Sequence, residues 1–435
     1  MNIIHGDCLE ELKKLEDNSI DAVITDPPYG LSNTRPQQVA DVLKAWVTGD
    51  TVSVPAKRGG FMGKDWDSFV PPPAVWEECI RVLKPGGHMA VFAGARTQDL
   101  MGLSIRLAGF EIRDTLGWVY GSGMPKSHNI SKAIDKAAGA EREKVAATGG
   151  LTNYAVMNDD GWSKIGQANP VMDGPTPATP EAARWDGWGT ALKPAIEPIV
   201  LARKPLVGTV ANNVLAHGVG GLNIDACRVG TTVETWPKTR MYGGNPSEVA
   251  FTKTSGDAIS AQPTGEAPAG RFPANVLLDE HAAAEMDEQS GDRPGFATQT
   301  DLQDGKPGGS FFGKRRDATR AGEVRQGYDD NGGASRFFPV FKYQAKAPKR
   351  ERPVIEREDG TKIQHPTVKP VALMEWLVSL IVPPGGVVLD PFAGSGTTLQ
   401  AALNKGFTPI GIEQDADYIK LIEKRLEETC KTPKS

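Results

Sequence analysis

Short apolar runs alternate with helical patterns in the first 120 residues of the chain. Residues 20–25 (IDAVIT) and 88–94 (HMAVFAG) are the clearest strands, because apolar side chains run almost unbroken through them. Residues 74–83 between them carry apolar side chains at helical spacing. The predicted order in this part is strand 1–7, helix 8–15, strand 20–25, helix 74–83, turn 84–87, strand 88–94, helix 97–108 and strand 110–120.

The end of the chain has the same alternation. The predicted order there is helix 372–381, turn 383–386, strand 387–390, helix 396–406, strand 408–413 and helix 416–428. One further strand of the same sheet is predicted within residues 195–206 (AIEPIVLARKPL). Strands that alternate with helices predict an α/β fold, in which helices cover both faces of a mainly parallel sheet.

The middle of the chain is different, since it is dense in Gly, Pro, Asn and Thr and poor in periodic patterns. Loop-rich insertions in an α/β core usually carry recognition rather than scaffolding. We therefore predict a first part of the core at 1–205, with loop insertions at about 31–67 and 121–194. A recognition insertion is predicted at 206–344, and the second part of the core at 345–435.

Composition narrows the class of protein. Of 435 residues, 39% are hydrophobic and 24% charged, as in ordinary globular chains. No apolar run approaches the length of a membrane span, and the N-terminus has no secretion signal. The four cysteines are far apart and form no CxxC pair, which argues against a zinc site or a disulfide framework. We expect a soluble cytoplasmic protein without membrane contact or bound metal.

A carboxylate, two prolines and an aromatic ring follow the predicted strand 20–25. They are Asp26, Pro27, Pro28 and Tyr29. The prolines fix their own φ angles and restrict the residues before them, so the backbone here is stiff. Pro-Pro after a strand is often only a rigid turn, and a lone tyrosine is often packing. Together at the carboxyl end of a strand, where open α/β sheets bind ligands, they predict a functional site.

A glycine loop follows the predicted strand 387–390. Glycines let a backbone approach a ligand closely, and the helix that follows offers free N–H groups at its start. Glu413 ends the next strand, 19 residues after Gly394. An acid at about 20 residues from such a loop suits the two hydroxyls of a ribose. The loop is neither GxGxxG nor GxxxxGK[ST], which favours a nucleoside without a pyrophosphate.

The stretches TDPPYG (25–30) and DPFAGSGTT (390–398), with HPTVKP (365–370), resemble the amino-group DNA methyltransferases that use S-adenosylmethionine. The DPPY element comes first and the glycine loop last, an order that looks like the β-class of this family. The resemblance implies a Rossmann-like class I methyltransferase fold with permuted motif order. It also implies S-adenosylmethionine as cofactor and double-stranded DNA as partner.

The resemblance assigns a role to each member of the DPPY element. The Asp26 side chain and the Pro27 carbonyl would accept hydrogen bonds from a base amine and aim its lone pair at the methyl group. Pro28 would help to hold this geometry, and Tyr29 would stack on a base pulled out of the duplex. The reaction would then depend on alignment for direct displacement, without a metal or a covalent intermediate.

Other positions take cofactor roles by the same resemblance. Asp7 and Cys8 match the segment that contacts the cofactor's adenine, although Asp7 also suits a helix N-cap. Thr367 and Lys369 match the segment whose lysine neutralises the cofactor's carboxylate, whereas His365 is expected to be structural. The other cofactor-binding residues implied are Asp26, Asp390, Phe392, Gly394, Ser395, Gly396, Thr397 and Glu413, the last of which would hold the ribose.

The identity of the acid in the DPPY element indicates which base nitrogen is methylated. In the DNA enzymes of this family Asp is typical of adenine-N6 and Ser of cytosine-N4, so Asp26 predicts N6-adenine, with N4-cytosine as the alternative. A cytosine-C5 enzyme is disfavoured because the chain has no Pro-Cys pair, and a deaminase because it has no clustered His and Cys ligands. Glutamine-methylating enzymes typically carry Asn in place of Asp26. An RNA methyltransferase and a DNA-binding protein with dispensable methylation stay open as alternatives.

The charge of −5 is unevenly distributed. Residues 306–357 hold 13 Lys and Arg against 6 Asp and Glu. Such a run is usually a solvated face, but if the partner is a polyanion, the run can also bind its phosphates. The predicted DNA-binding residues are Lys314, Arg315, Arg316 and Arg320. A homodimer, a restriction endonuclease partner and a nucleoid-associated location in a prokaryotic or viral setting are further expectations.

Overall fold

The computed structural model of the protein describes residues 2–431 apart from 33, 56–66, 122, 124–126, 147–154, 159–160, 165–170, 231–238, 242–260, 264–269, 295–330, 342–351 and 358. The described chain forms two units. One comprises residues 1–121 and 196–435, and the other comprises residues 122–195. The basic residues at 314–320 lie outside the described residues.

The strands lie in chain order as follows: β1 Asn2–His5, β2 Ile20–Thr25, β3 Leu83–Phe92, β4 Glu111–Val119, β5 Lys144–Ala146, β6 Ala155–Asn158, β7 Gly161–Lys164, β8 Val171–Asp173, β9 Ile196–Arg203, β10 Thr239–Met241, β11 Ala261–Pro263, β12 Val276–Asp279, β13 Arg293–Pro294, β14 Asn331–Gly332, β15 Val340–Phe341, β16 Ile355–Glu356, β17 Lys362–Ile363, β18 Val387–Asp390 and β19 Thr408–Glu413.

The helices are α1 Cys8–Leu12, α2 Pro36–Val47, α3 Pro73–Val82, α4 Gln98–Leu107, α5 Ile130–Ala137, α6 Pro180–Arg184, α7 Val210–His217, α8 Glu280–Ser290, α9 Val371–Ile381, α10 Thr397–Asn404 and α11 Ala416–Lys431. Within the described part of the chain, none of them is both long enough and apolar enough to cross a membrane.

A nine-stranded sheet with the order β1-β19-β18-β2-β3-β9-β4-β12-β15 organises the larger unit. Six of its pairings are parallel, which confirms the predicted mainly parallel sheet. The strand predicted within 195–206 is present as β9, and it runs antiparallel to both of its neighbours. The amino end of β9 therefore lies at the same edge as the carboxyl ends of β2 and β3.

Helices cover both faces of this sheet, as predicted. The side chains of β2 alternate between two apolar cores, as the period of a strand requires. Val23 packs in the core that contains Trp76 of α3. Ala22 and Ile24 pack in the other, which contains Leu377 of α9. Burying one such aliphatic side chain stabilises the fold by roughly 1.5–3 kcal/mol, so both faces of β2 hold it in place.

Two details differ from the sequence-based prediction. The turn predicted at 84–87 lies inside β3, because the strand begins at Leu83 and its register against β2 shifts between Ile20 and Ala22. The strand β12, inside the stretch predicted as the recognition insertion, pairs with β4 through three of its four residues and extends the main sheet. The pattern VLLD was too short to stand out within a loop-rich region.

The smaller unit, residues 122–195, has its own buried ion pair. The Arg142 guanidinium donates to Asp135 at 2.7 Å, and both side chains are almost fully buried. Asp135 also accepts hydrogen bonds from the N–H groups of Ala178 and Thr179, at 3.0 Å each. These bonds fasten α5 to the segment that leads into α6, because a buried carboxylate is stable only when its oxygens are satisfied.

Candidate active site

The order of the strands in the sheet reverses between β18 and β2. These strands are parallel neighbours, with Leu389 opposite Val23. From β2 the chain continues to β3 on one side, and from β18 it continues to β19 on the other. Such a reversal opens a crevice at the carboxyl ends of the two strands, which is where open α/β sheets bind ligands.

A hydrogen bond joins the two strand ends at this crevice. The Thr25 hydroxyl donates to the Asp390 carboxylate at 2.6 Å, and both side chains are buried. Burial raises the pKa of Asp390 to about 6, although the bonds from Thr25, Thr398 and the Phe392 N–H favour the ionised form. The sequence places these strand ends 365 residues apart, and the fold brings them into direct contact.

The loop after β18 approaches its neighbours closely. Gly396 has a φ of +77°, in the left-handed region, and a Cβ atom there would lie 3.0 Å from Cγ2 of Ile422. Gly396 is the N-cap of α10 and supplies no capping side chain, so the first N–H groups of the helix receive no cap from it. The hydroxyls of Ser395 and Thr397 lie 3.1 Å apart beside it. A polar ligand can be bound by such a helix start.

Glu413, at the end of β19, is fixed by backbone donors. One carboxylate oxygen accepts from the Gly394 N–H at 2.8 Å and the other from the Asp415 N–H at 2.9 Å. Burial raises the pKa of Glu413 to about 7 in spite of these bonds. We call residues 390–397 together with Glu413 the glycine side of the crevice.

The residues predicted near the cofactor's adenine adjoin Glu413. The Gly6 N–H donates to the carbonyl of Glu413 at 3.0 Å. The Asp7 side chain accepts from the N–H groups of Leu9 and Glu10, so it is the N-cap of α1. Cys8 is the first residue of that helix, and burial raises the pKa of its thiol to about 12. The capping role considered for Asp7 is therefore present in the structure.

Two segments hold the turn after β2. The Asp67 carboxylate accepts from the N–H groups of Tyr29 and Gly30, at 2.7 and 3.0 Å. The Thr97 hydroxyl donates to the carbonyl of Tyr29 at 2.6 Å. The stiffness that the two prolines give this turn is thus supplemented by bonds from loops that lie far from it in the sequence.

Four polar side chains meet at the end of β2. The Lys369 ammonium donates to Oδ2 of Asp26 at 2.7 Å and to the Tyr29 hydroxyl at 3.0 Å. The Tyr29 hydroxyl donates to Oδ1 of Asp26 at 2.7 Å. Oε2 of Glu197 lies 3.2 Å from the Lys369 ammonium and 3.4 Å from the Tyr29 hydroxyl. We call Asp26, Tyr29, Glu197 and Lys369 the acceptor side of the crevice.

Electrostatics keep Lys369 charged and Tyr29 protonated. Burial alone would lower the pKa of Lys369, but Asp26 and Glu197 raise it well above its usual range, so the ammonium stays charged. Its charge also lies 4.8 Å from the centre of the Phe92 ring. Burial and the two carboxylates raise the pKa of Tyr29, so its phenol stays protonated and can donate.

The segment 365–370 bends back on itself before α9. Nδ1 of His365 is hydrogen-bonded to the carbonyl of Thr367, and its ring packs at 4.7 Å against Tyr418 of α11. Burial lowers the pKa of His365, which favours the neutral ring. In this position Lys369 contacts Asp26, Tyr29 and Glu197, and its predicted contact with the cofactor's carboxylate stays a prediction.

The structure thus brings the predicted residues of three distant segments to one crevice. The sequence patterns did not mark Glu197, Asp67 or Thr97 as site residues. Of the three, only Glu197 could have been noticed, since it is an acid at the start of a predicted strand. In a mainly parallel sheet, however, site residues are expected at the carboxyl ends of the strands. The predicted DNA-binding residues from Lys314 to Arg320 lie outside the part of the chain that the structure describes.

Sequence comparison identifies the family. The profile of the DNA methylase family N6_N4_Mtase matches residues 20–160 and 255–424, well over half of the chain. The chain therefore belongs to the DNA methylase family, and the membership expected from the motifs is confirmed.

Individual relatives match over shorter stretches. The chain is 26% identical over 242 residues to the type II methyltransferase M.HindIII of Haemophilus influenzae, which covers 51% of this chain and 64% of that protein. It is 48% identical over 63 residues to the DNA adenine methyltransferase YhdJ of Escherichia coli, which covers 14% of this chain and 21% of that protein. The chain thus spans less than two thirds of the length of these relatives.

Solved structures give weaker likenesses. The M1.HpyAVI–SAM complex aligns over 98% of both chains, at 15% identity and a TM-score of 0.38. The cytosine-N4-specific PvuII DNA methyltransferase aligns over 98% of this chain and 89% of that chain, at 13% identity and a TM-score of 0.41. The ligand and the target base in these descriptions are those of the two named proteins.

Proposed function

We propose that the protein transfers a methyl group from S-adenosylmethionine to the N6 amino group of adenine in double-stranded DNA. One observation carries this proposal. In a member of the DNA methylase family, the strand end that bears Asp26 and the strand end that bears the glycine loop are adjacent, and the Thr25–Asp390 bond joins them. A base amine on one side and a methyl donor on the other would therefore meet in one crevice.

The residues of the glycine side fit the cofactor. Glu413 offers a fixed carboxylate at the end of β19, suited to the two hydroxyls of a ribose. The start of α10 and the hydroxyls of Ser395 and Thr397 suit the polar methionine portion. The segment of Asp7 and Cys8 adjoins Glu413 and would contact the adenine. Bound S-adenosylmethionine would supply a methyl group activated by its sulfonium.

The acceptor side supplies what the amine needs. The lone pair of an exocyclic base nitrogen is delocalised into the ring, so it is a weak nucleophile. Asp26 and the Pro27 carbonyl would accept hydrogen bonds from its two N–H groups and hold the lone pair toward the methyl group. The turn is already fixed by Asp67 and Thr97, so little reorganisation is needed when the base arrives. The Tyr29 ring would stack on the flipped base.

Adenine is favoured over cytosine by two considerations. Asp26 occupies the position at which the resemblance associates Asp with adenine-N6. The matched E. coli relative is named a DNA adenine methyltransferase. The decisive experiment incubates the protein with unmethylated DNA and methyl-labelled cofactor, digests the DNA to nucleosides and identifies the product by mass. We expect N6-methyl-2′-deoxyadenosine; N4-methyl-2′-deoxycytidine would reassign the target, and unlabelled DNA would overturn the proposed activity.

The partners are part of the same proposal. We propose that the stretch 206–344 contributes target recognition and that Lys314, Arg315, Arg316 and Arg320 contact DNA. Replacing these four by alanine should weaken DNA binding and flatten its salt dependence, because each phosphate contact contributes to the slope. Unchanged binding across several salt concentrations would contradict this assignment. A homodimer, a restriction endonuclease partner and a nucleoid-associated location complete the proposal.

A further inference from the structure

Both carboxylate oxygens of Asp26 already have donors. Oδ1 accepts from the Tyr29 hydroxyl and Oδ2 from the Lys369 ammonium, each at 2.7 Å. A base amine that donates to Asp26 has to compete with these two bonds. The amine nitrogen also gains positive charge as it attacks the methyl group, so an ammonium held on the same carboxylate opposes the reaction.

Glu197 offers the two donors another acceptor. Its Oε2 atom lies 3.2 Å from the Lys369 ammonium and 3.4 Å from the Tyr29 hydroxyl. In the described part of the chain, Asp26 and Glu197 are the two carboxylates within reach of both donors. A movement of about 0.3–0.5 Å for the ammonium, and of about 0.7–0.9 Å for the hydroxyl, would bring each donor to the length of a charge-assisted hydrogen bond.

The charges favour a transfer of these hydrogen bonds to Glu197 over their loss without a new acceptor. The acceptor side has two carboxylates and one ammonium, so Lys369 keeps a partner when it leaves Asp26. Without Glu197, freeing Asp26 would leave a buried ammonium unpaired, which is strongly unfavourable. The backbone of Glu197 is well placed for this role, because it pairs with Trp118 in β4 and its neighbour Pro198 accepts from the Ala93 N–H at 2.9 Å.

We propose that Glu197 is a positioning residue, which takes over the hydrogen bonds of Tyr29 and Lys369 when the base amine enters and so frees Asp26 to accept the amine. This inference rests on the proposed methyl transfer. Glu197 acts on the reaction through Tyr29 and Lys369, and its own carboxylate does not touch the reacting atoms.

A double-mutant cycle tests the exchange. Glu197→Gln keeps the shape but removes the charge, and Tyr29→Phe keeps the ring but removes the hydroxyl that occupies Oδ1 of Asp26. We expect Glu197→Gln to lower kcat for methyl transfer to unmethylated DNA about tenfold, with the Kd for S-adenosylmethionine changed by less than about twofold. In the Tyr29→Phe background the same substitution should cost about threefold or less, because one of the two bonds no longer needs a new acceptor.

Matched variants separate this role from a structural one. Glu111→Gln removes a carboxylate that pairs with Arg203 at the other end of β9, and it should leave kcat unchanged. Glu197→Asp keeps the charge with a shorter reach and should recover part of the lost activity. Thermal unfolding of each variant monitors the fold. If Glu197→Gln does not fold, Glu197→Asp replaces it in the cycle, with a smaller loss of the same sign expected.

The outcomes distinguish the two proposals. If the wild-type protein transfers methyl groups and the costs of Glu197→Gln and Tyr29→Phe are additive, the exchange is wrong and the proposed function stands. If Glu197→Gln weakens only cofactor binding, the exchange is also wrong. If the wild-type protein transfers no methyl group to DNA, the proposed function falls and this inference falls with it.

Discussion

The acceptor side and the glycine side of the crevice are held together by different chemical groups. The acceptor side collects Asp26, Tyr29, Glu197 and Lys369 from three segments that are remote in the sequence, and charged side chains hold it together. The glycine side is one continuous loop with Glu413, and backbone N–H groups hold it together. Side chains can exchange partners as a ligand arrives, whereas a backbone cradle is fixed when the chain folds.

This difference implies a division of labour. The acceptor side should control the chemical step, and the glycine side should control cofactor affinity. Substitutions on the two sides should therefore change different constants.

The largest loss is expected from Asp26→Ala. Removing a preorganised polar group that acts in the transition state costs about 10²–10³ in kcat, and Asp26 also holds Lys369 and Tyr29. We expect methyl transfer to fall by about 10³-fold or more, with the Kd for S-adenosylmethionine within a few-fold of the wild-type value. Labelled-methyl assays and calorimetry measure the two quantities. An equal loss of cofactor affinity would show that the two sides are not separate.

Glu413→Ala should give the converse result. A hydrogen bond to a charged group contributes about 1.5–3 kcal/mol, so cofactor affinity should fall by about 10- to 100-fold. Because the acceptor side is intact, kcat at saturating cofactor should change by only a few-fold. Glu413→Gln is the control, since it keeps an acceptor and should lose less affinity. A collapse of kcat with normal affinity would contradict the assignment.

The bond between the two sides can be removed by Thr25→Val. This substitution keeps the shape but leaves the buried Asp390 without its donor from β2. An unsatisfied buried acceptor costs about 1–3 kcal/mol in the free energy of unfolding, which denaturant titration can measure. Thr25→Ser keeps the hydroxyl and should be less destabilised. Equal losses in the two variants would mean that packing of the methyl group matters more than the bond.

The smallest predicted effect is a pH dependence on the glycine side. The pKa of Glu413 is raised to about 7. An ionised carboxylate accepts from both ribose hydroxyls, so cofactor affinity should rise between pH 6 and 8, by up to about tenfold. Glu413→Gln should flatten this rise. A flat wild-type profile would show that Glu413 does not titrate at the cofactor.

The same raised pKa has the opposite effect on stability. A folded-state pKa above the unfolded value means that the stability contribution is complete at low pH, and it is lost as the pH rises through 7. The free energy of unfolding without cofactor should thus decrease between about pH 4.5 and 7. Titrating wild type against Glu413→Gln isolates this contribution.

The two sides also differ in how far they could be predicted from the sequence. The glycine side is local: a strand, a loop and a helix follow one another, and their order predicted the glycine loop and Glu413, to which the resemblance added Asp390. The acceptor side depends on long-range pairing. The strand β9 was predicted, but its antiparallel direction was not, and that direction puts Glu197 at the site. Asp67 lies in an irregular loop, where no periodic pattern marks a residue that accepts two N–H bonds.

Lys369 illustrates the limit of a motif. The motif indicated a lysine near the site, but it could not reveal that Asp26 and Glu197 share its charge. The short strand β12 was missed for a similar reason, because its three apolar residues are recognisable as a strand only from their pairing with β4. Local patterns thus predicted the elements, and the tertiary pairings determine which side chains meet.

The pairing of β2 with β18 has a consequence for synthesis of the chain. β2, β3, β4 and β9 can associate as soon as they leave the ribosome, but β18 and β19 are translated much later. Until then β1 lacks its partner and one side of β2 is an open edge, the kind of surface that recruits other chains into aggregates. A nascent chain stalled before residue 387 should therefore depend on chaperones, and completion of the last strands closes that edge.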